Sequence, residues 1–390
     1  MNAARTISCA GCIVLAVGLM FASPASAVQR YTITDLGAIT GYPISEAQAI
    51  NSAGQVVGTV YNDARTEARA VLYAGGPLSL LNALVPMSAR DINDAGRVVG
   101  VMTVSPIESR AFAYDAGLIA DLGTLGGPTS YARGVNGTGQ ICGASDLGGG
   151  QTHSFLYDAG VMYDIHVLAQ ATVLASSTPT GNIIHSTFSE AFDINDSREI
   201  VGFFRAPNAL AVQTERAYYY KNEQLIEMGT LGGANSRALA VSDNGHIVGW
   251  SQSAAGVQIA AMFYLNGQVR SLGTPTGTAS WSAAYDVNDS GVIVGSADGT
   301  ACMYQAGVHT DLNTLIDSGT GWRLLAATGI NNASRITGYG TIGDQTHAFV
   351  LTPVTSGGTG DGGDGTFPRS GGICGAGAGL PLALAALCLK

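Results

Sequence analysis

The residues most able to do chemistry in this 390-residue chain form a recurring series. Arg69, Arg110, His153, Arg216 and His347 occupy one repeated position, which Ala260 and Thr300 break. Gathered on one ring, such cations would hold a carboxylate or an anionic glycan by charge-assisted hydrogen bonds. The competing reading is that each pairs locally with a nearby acid or carbonyl. A second set, Arg65, Arg133, Phe204, Arg205, Trp250 and Trp281, stands in or beside the segments that vary most. Variable loops on a rigid frame are where ligands bind, so these six are candidate ligand contacts.

Other chemistry finds little support. Asp91-x-Asn93-Asp94-x-Gly96 and Asp286-x-Asn288-Asp289-x-Gly291 resemble calcium loops. A calcium loop needs a bidentate acid at its twelfth position, where this chain has Met102 or Ala297, so both read as turns. There is no G-x-S-x-G elbow or S-x-x-K, and the six histidines are scattered. The body has no metal-spaced His or Cys pair. Carboxylates for glycoside cleavage could meet across repeats, but no spacing nominates a pair. No catalytic residue, metal or cofactor is expected.

Composition narrows the partners. Glycine contributes 54 residues, 46% of the chain is hydrophobic and 12% charged, which excludes a disordered acidic tail. The balance of 18 basic to 28 acidic residues leaves no surplus for binding phosphate backbones, so nucleic acid is excluded. Lysine occurs only at Lys221 and Lys390, so there is no polybasic membrane patch.

The ends read as targeting segments. Residues 1–27 resemble a signal peptide: Arg5, the apolar stretch Cys12 to Phe21, and the small-residue site Ala25-Ser26-Ala27. Residues 355–372 are a glycine-rich linker, and residues 373–390 a short hydrophobic stretch closed by Lys390. That tail resembles the C-terminal sorting tags of exported bacterial proteins, with Cys374 as the modification candidate. The alternative is a plain hydrophobic anchor. Of the six cysteines, only Cys142 and Cys302 fall in the body, where they replace apolar residues of other copies and are expected as buried thiols.

The body, residues 28–354, is repetitive. A signature of apolar residue, Asn, a turn and a short apolar run ending in Gly recurs at Asn51, Asn93, Asn136, Asn195, Ser242, Asn288 and Asn331. The spacings are 42, 43, 59, 47, 46 and 43, a period near 43 with one insertion around Ala171 to Ser189 that includes His185. Each unit holds four strand candidates: A-x-x-[IV]-N, G-x-[IV]-V-G, [RH]-A-F-x-Y and a segment of D-L-G type. Eight-residue segments such as Tyr163 to Gln170 and Thr310 to Asp317 keep step with that fourth strand, and no useful helix is expected. Four strands in about 43 residues is the size of a propeller blade. An all-β, seven-bladed propeller of antiparallel blades follows. The last copy lacks a fourth strand and Tyr31 to Gly37 has the phase of one, so the N-terminal strand is expected to close the wheel. Alanine stands four residues before each signature residue, at 47, 89, 132, 191, 238, 284 and 327, where packing at the axis would demand it.

Asp121-Leu122-Gly123-Thr124-Leu125-Gly126-Gly127, the Asn-x-x-Gly-x-Ile-Val-Gly core and His347-Ala348-Phe349 resemble the HAF-type extracellular repeat family over residues 31 to 352. The resemblance implies an exported, repeat-built, propeller-like protein, often with a C-terminal sorting tag and with no established reaction; a surface-displayed monomeric binding module is the expectation. Its expected partners are an extracellular glycan or protein and the export and sorting machinery, with membrane contact only through the tail. The alternative is a secreted propeller enzyme, a polysaccharide lyase or glycosidase, working on the face of the variable loops.

Overall fold

Short runs of β-branched residues between Asn-x-x-Gly and Ala-Gly turns make strands that bury alternate side chains. In the computed structural model, which describes residues 30–173, 186–207, 213–273 and 281–354, they form seven four-stranded antiparallel sheets. The first blade comprises Ile44–Ile50, Val56–Tyr61, Ala68–Tyr73 and Ser79–Leu80, innermost to outermost. The other six repeat this order. The expected signal segment, the expected linker and tail with Cys374, and the 174–185 part of the insertion with His185 lie outside the described residues. Among the described residues, no helix is long and apolar enough to cross a membrane.

The wheel closes as expected. Tyr31–Gly37 is the outer strand of the seventh blade and pairs antiparallel with Gln345–Pro353, with Ile33 opposite Leu351. Seven apolar clusters make the core, and the clusters lie between blades. One joins Val201, Ala217 and Tyr219 of the fourth blade to Ala238, Val241 and Ile247 of the fifth. Another joins Leu36 and Val350 of the closing blade to Ala47 and Val56 of the first. Cys142 and Cys302 are buried free thiols within these layers.

The fourth strands are shorter than expected. The Tyr163 to Gln170 segment splits into the end of Val161–Asp164 and a helix, Ile165–Val173. The Thr310 to Asp317 segment leaves its strand at Asp311 and enters two short 3-10 turns. The terminal aspartate is the cause. Asp121, Asp164 and Asp311 each accept the N–H two residues on, at 2.8 Å, which turns the chain out of the ladder; Asp35 makes the same bond at 2.7 Å, but its strand pairs again at Gly37 after a bulge.

Candidate functional site

Every innermost strand slips by one residue at the same place, directly after its repeated alanine. A bulge inserts one unpaired residue and re-aims its side chain. The seven bulged residues are Gln48, Arg90, Arg133, Phe192, Leu239, Tyr285 and Thr328, and all seven line a central cavity of about 410 Å3. The glycine at the third residue of each second strand makes the bulge possible. In the third blade, a Cβ on Gly143 would overlap the Tyr131 carbonyl oxygen. Gly58, Gly100, Gly202, Gly249, Gly295 and Gly338 stand in the same relation to the carbonyl before their own alanine. The two invariant small residues of the repeat therefore exist to aim a third, variable one into the channel.

One step deeper, alternate blades carry an aspartate. Asp91, Asp193 and Asp286 each accept the N–H of the next residue on one oxygen. The other oxygen accepts an N–H from the following blade: Val135, Val241 or Ile330, at 2.7–2.8 Å. The receiving blades have Gly134, Ala240 and Gly329 at the equivalent position, and the first blade has Ala49. These carboxyls touch the channel but are ringed by protein. Burial pushes Asp91 up to about 6, Asp286 up to about 7 and Asp193 well above its ordinary value, partly offset by their backbone hydrogen bonds. Asp193 is raised further by Asp91 and Asp286.

Next along each strand comes a buried Ile or Val, then the signature asparagine. The asparagines form a belt around the axis. Asn51 Nδ2 donates to the Asn93 carbonyl at 3.1 Å, Asn93 to Asn136 at 2.9 Å and Asn136 to Asn195 at 3.1 Å. Asn195 donates to Ser242 at 2.9 Å, Asn288 to Asn331 at 3.2 Å, and Asn331 back to Asn51 at 2.9 Å. Each is buried, and a buried hydrogen bond contributes about 1 kcal/mol net. Asp94, Asp196, Asp243 and Asp289 follow at the far mouth, around a smaller cavity of about 220 Å3. Burial, with the nearby Asp196, Asp289 and Asp94 charges, raises Asp243.

Of the six candidate ligand contacts, Arg133 is a bulge residue, ion-paired with Glu190 at 2.5 Å and lying over the Phe192 ring. Arg65 reaches back to the rim, pairing at 2.8 Å with the channel-lining Glu46. Arg205 and Trp250 belong to a strip leading outward over the fourth and fifth blades. Arg237 lies between Phe203 and Trp250, Arg205 lies over Phe188, and both arginines contact Glu215. Trp281 is half-buried and exchanges main-chain contacts with Asp298 away from the channel. Phe204 is not accessible: it is 0% exposed, because strand alternation turns it into the layer between the third and fourth blades.

The five repeated cations do not converge on a ligand; local pairing holds at each. Arg110 meets Asp121, His153 meets Asp164, Arg216 meets Glu227 and His347 meets Asp35, each across the third and fourth strands of one blade. Arg69 pairs with Glu67. Antiparallel register sets the acid of the D-L-G segment beside the basic residue of the third strand, well away from the axis. No group of three or more metal-binding side chains is assembled among the described residues.

A cluster in the third and fourth blades has the composition of a hydrolytic site. Ser189 Oγ lies 2.7 Å from His166 Nε2, and His153 stacks on His166 while its Nδ1 meets Asp164 Oδ2 at 2.8 Å. Burial pushes His166 down to about 4. Burial also pushes Asp164 up, but the His153 hydrogen bond and charge outweigh it and hold the carboxyl low. Ser189 is 0% and His166 2% exposed, so no substrate reaches them. Ser189 Oγ instead accepts the Ser154 N–H and joins two blades.

Residues 160–309 match a family model described as a protein of unknown function (DUF3466). No curated protein matches the chain. Among solved structures, the chain is similar to the β-propeller domain of the Trilobed protease from Pyrococcus furiosus, described as having an open velcro topology. Identity there is 11%, over 80% of this chain and 97% of that one, with a TM-score of 0.50. TolB from Acinetobacter baumannii is 12% identical over 77% of this chain, with a TM-score of 0.41, and this chain spans 64% of its length. The Aleuria aurantia lectin is 11% identical over 82% of this chain and 99% of that one, with a TM-score of 0.36. At such identities the likeness shows the propeller fold and nothing about activity.

Proposed function

We propose that this protein is an exported, surface-displayed binding module of the HAF-repeat type that takes a glycan or protein ligand at the bulge-ring mouth of its central channel. The observation that carries the reading is the ring itself. Seven identical backbone devices present seven side chains of mixed chemistry to one cavity. A cavity of this size lies within the roughly 300–1,000 Å3 of small-ligand sites. The rim carries Arg65 and Glu46, and the strip of Phe188, Arg205, Arg237 and Trp250 extends the surface outward.

A second reading, a glycan-cleaving enzyme on the same face, is favoured by Asp91 and Asp286, raised to about 6 and about 7 in the channel. Against it, each carboxylate already holds two backbone N–H groups. The two readings separate in one experiment. The purified protein is screened on a glycan array and tested for polysaccharide cleavage beside Asp91→Asn and Asp286→Asn. Binding without turnover, weakened at least tenfold by Tyr285→Ala, supports the module. Turnover abolished by either Asn variant supports the enzyme.

A further inference from the structure

We propose that Arg90 is the receptor for a sugar carboxylate, so that the channel mouth selects acidic over neutral glycans. The inference deepens the binding-module reading and rests on it.

Arg90 is the bulged residue of the second blade, half-buried in the channel. Among the described residues its guanidinium makes no hydrogen bond and no ion pair. The arginines around it are committed: Arg65 to Glu46 at 2.8 Å and Arg133 to Glu190 at 2.5 Å. The acids that face Arg90 are those same two, Glu46 and Glu190, with Tyr61 beside them. Arg133 adds a like charge. The carboxyls deeper in the channel are occupied by backbone N–H groups and pushed by burial toward the neutral form. A guanidinium keeps its charge under these conditions and presents a planar fork of five donors. Arg90 is half-buried in the open channel, so its donors face channel water, which a carboxylate can replace with two parallel hydrogen bonds.

The other bulge residues suit a sugar better than a peptide terminus. Tyr285 offers an aromatic ring to the C–H face of a pyranose, and Gln48 and Thr328 offer an amide and a hydroxyl to its edge. The chain as a whole carries a net charge of −10, so an acidic glycan is repelled from most of the surface and admitted here.

The test is calorimetric titration of the full-length protein with tri-uronates of galacturonic, glucuronic and mannuronic acid, each beside its methyl ester. At least one acid is expected to bind tenfold or more tightly than its ester. Arg90→Gln erases that difference, Arg90→Lys retains part of it, and Arg270→Gln, on an exposed outer strand, leaves it unchanged. Circular dichroism and the melting temperature establish that each variant is folded. Equal affinity for acid and ester, a preference that survives in Arg90→Gln, or binding of neutral array glycans alone overturns the inference and leaves the module standing. Absence of any glycan binding, on the array and in the titrations, overturns both the inference and the glycan form of the module.

Discussion

The Asp193 carboxylate accepts the Val241 N–H at 2.8 Å across the gap between the fourth and fifth blades. Asp91 and Asp286 repeat the clasp at two other gaps. Because burial raises these carboxyls, the folded state binds protons that the unfolded chain releases. Their stabilising contribution is complete below about pH 4, the ordinary carboxylate value, and declines above it; for Asp91 and Asp286 it is gone once pH has passed about 6 and about 7. Glu199 and Glu215 act oppositely at lower pH. Burial raises them, but Lys221 and Tyr219 hold the first below its ordinary value and Arg237 and Arg205 the second. Their contribution fades as pH falls below about 4.5. Melting temperature should therefore peak between about pH 4 and 4.5, decline above it, and be lower by several degrees at pH 8. Calorimetric scans across that range check it. In Asp193→Asn the alkaline fall should shrink, and an unchanged slope would argue against the clasps as its source.

The glycine under each bulge should be intolerant of any side chain. Gly143→Ala drives a methyl into the Tyr131 carbonyl and the Phe155 ring. We expect a loss of about 1–3 kcal/mol in denaturant unfolding, the usual range for overpacking. Leu239→Ser, on a bulge residue open to the channel, should cost less than about 1 kcal/mol. Comparable losses for the two would show that the ring residues also serve the core.

The asparagine belt lacks a side-chain donor at Ser242. Ser242→Asn supplies an amide that can reach the Asn288 carbonyl as its six counterparts reach theirs. The expected gain is about 0.5–1 kcal/mol. Asn331→Ala, which removes the donor to Asn51, should lose a similar amount or more. Paired thermal melts decide the matter, and a destabilised Ser242→Asn would show that His246, which meets Ser242 in that turn, cannot be displaced.

The propeller was legible because its determinants are local and repeated seven times: turn glycines, two-residue alternation and a missing strand matched by a spare one. The bulge was not. A strand read by alternation gives Arg90 and Ala89 opposite faces and no special role, since an unpaired residue changes register without changing composition. One signal was available. After each repeated alanine the copies read Gln, Arg, Arg, Phe, Leu, Tyr and Thr, although the Ile or Val and Asn positions beyond hardly vary. Arg133 is among the sequence candidates and lines the channel; Arg90, Phe192 and Tyr285 line it too and are not among them. Phe204 misled because a residue near a variable loop can still face inward. The repeated cations drew attention by their charge, yet a charge conserved among copies marks a shared local bond more readily than a shared ligand.

The bulge separates the parts of the chain that must stay constant from those free to change. Alanine, glycine and asparagine hold the frame, and a single neighbouring letter in each copy decides what the hole in the hub will accept. A lineage built on such a wheel can retarget itself by seven independent single-codon edits, none of which touches a packed interior.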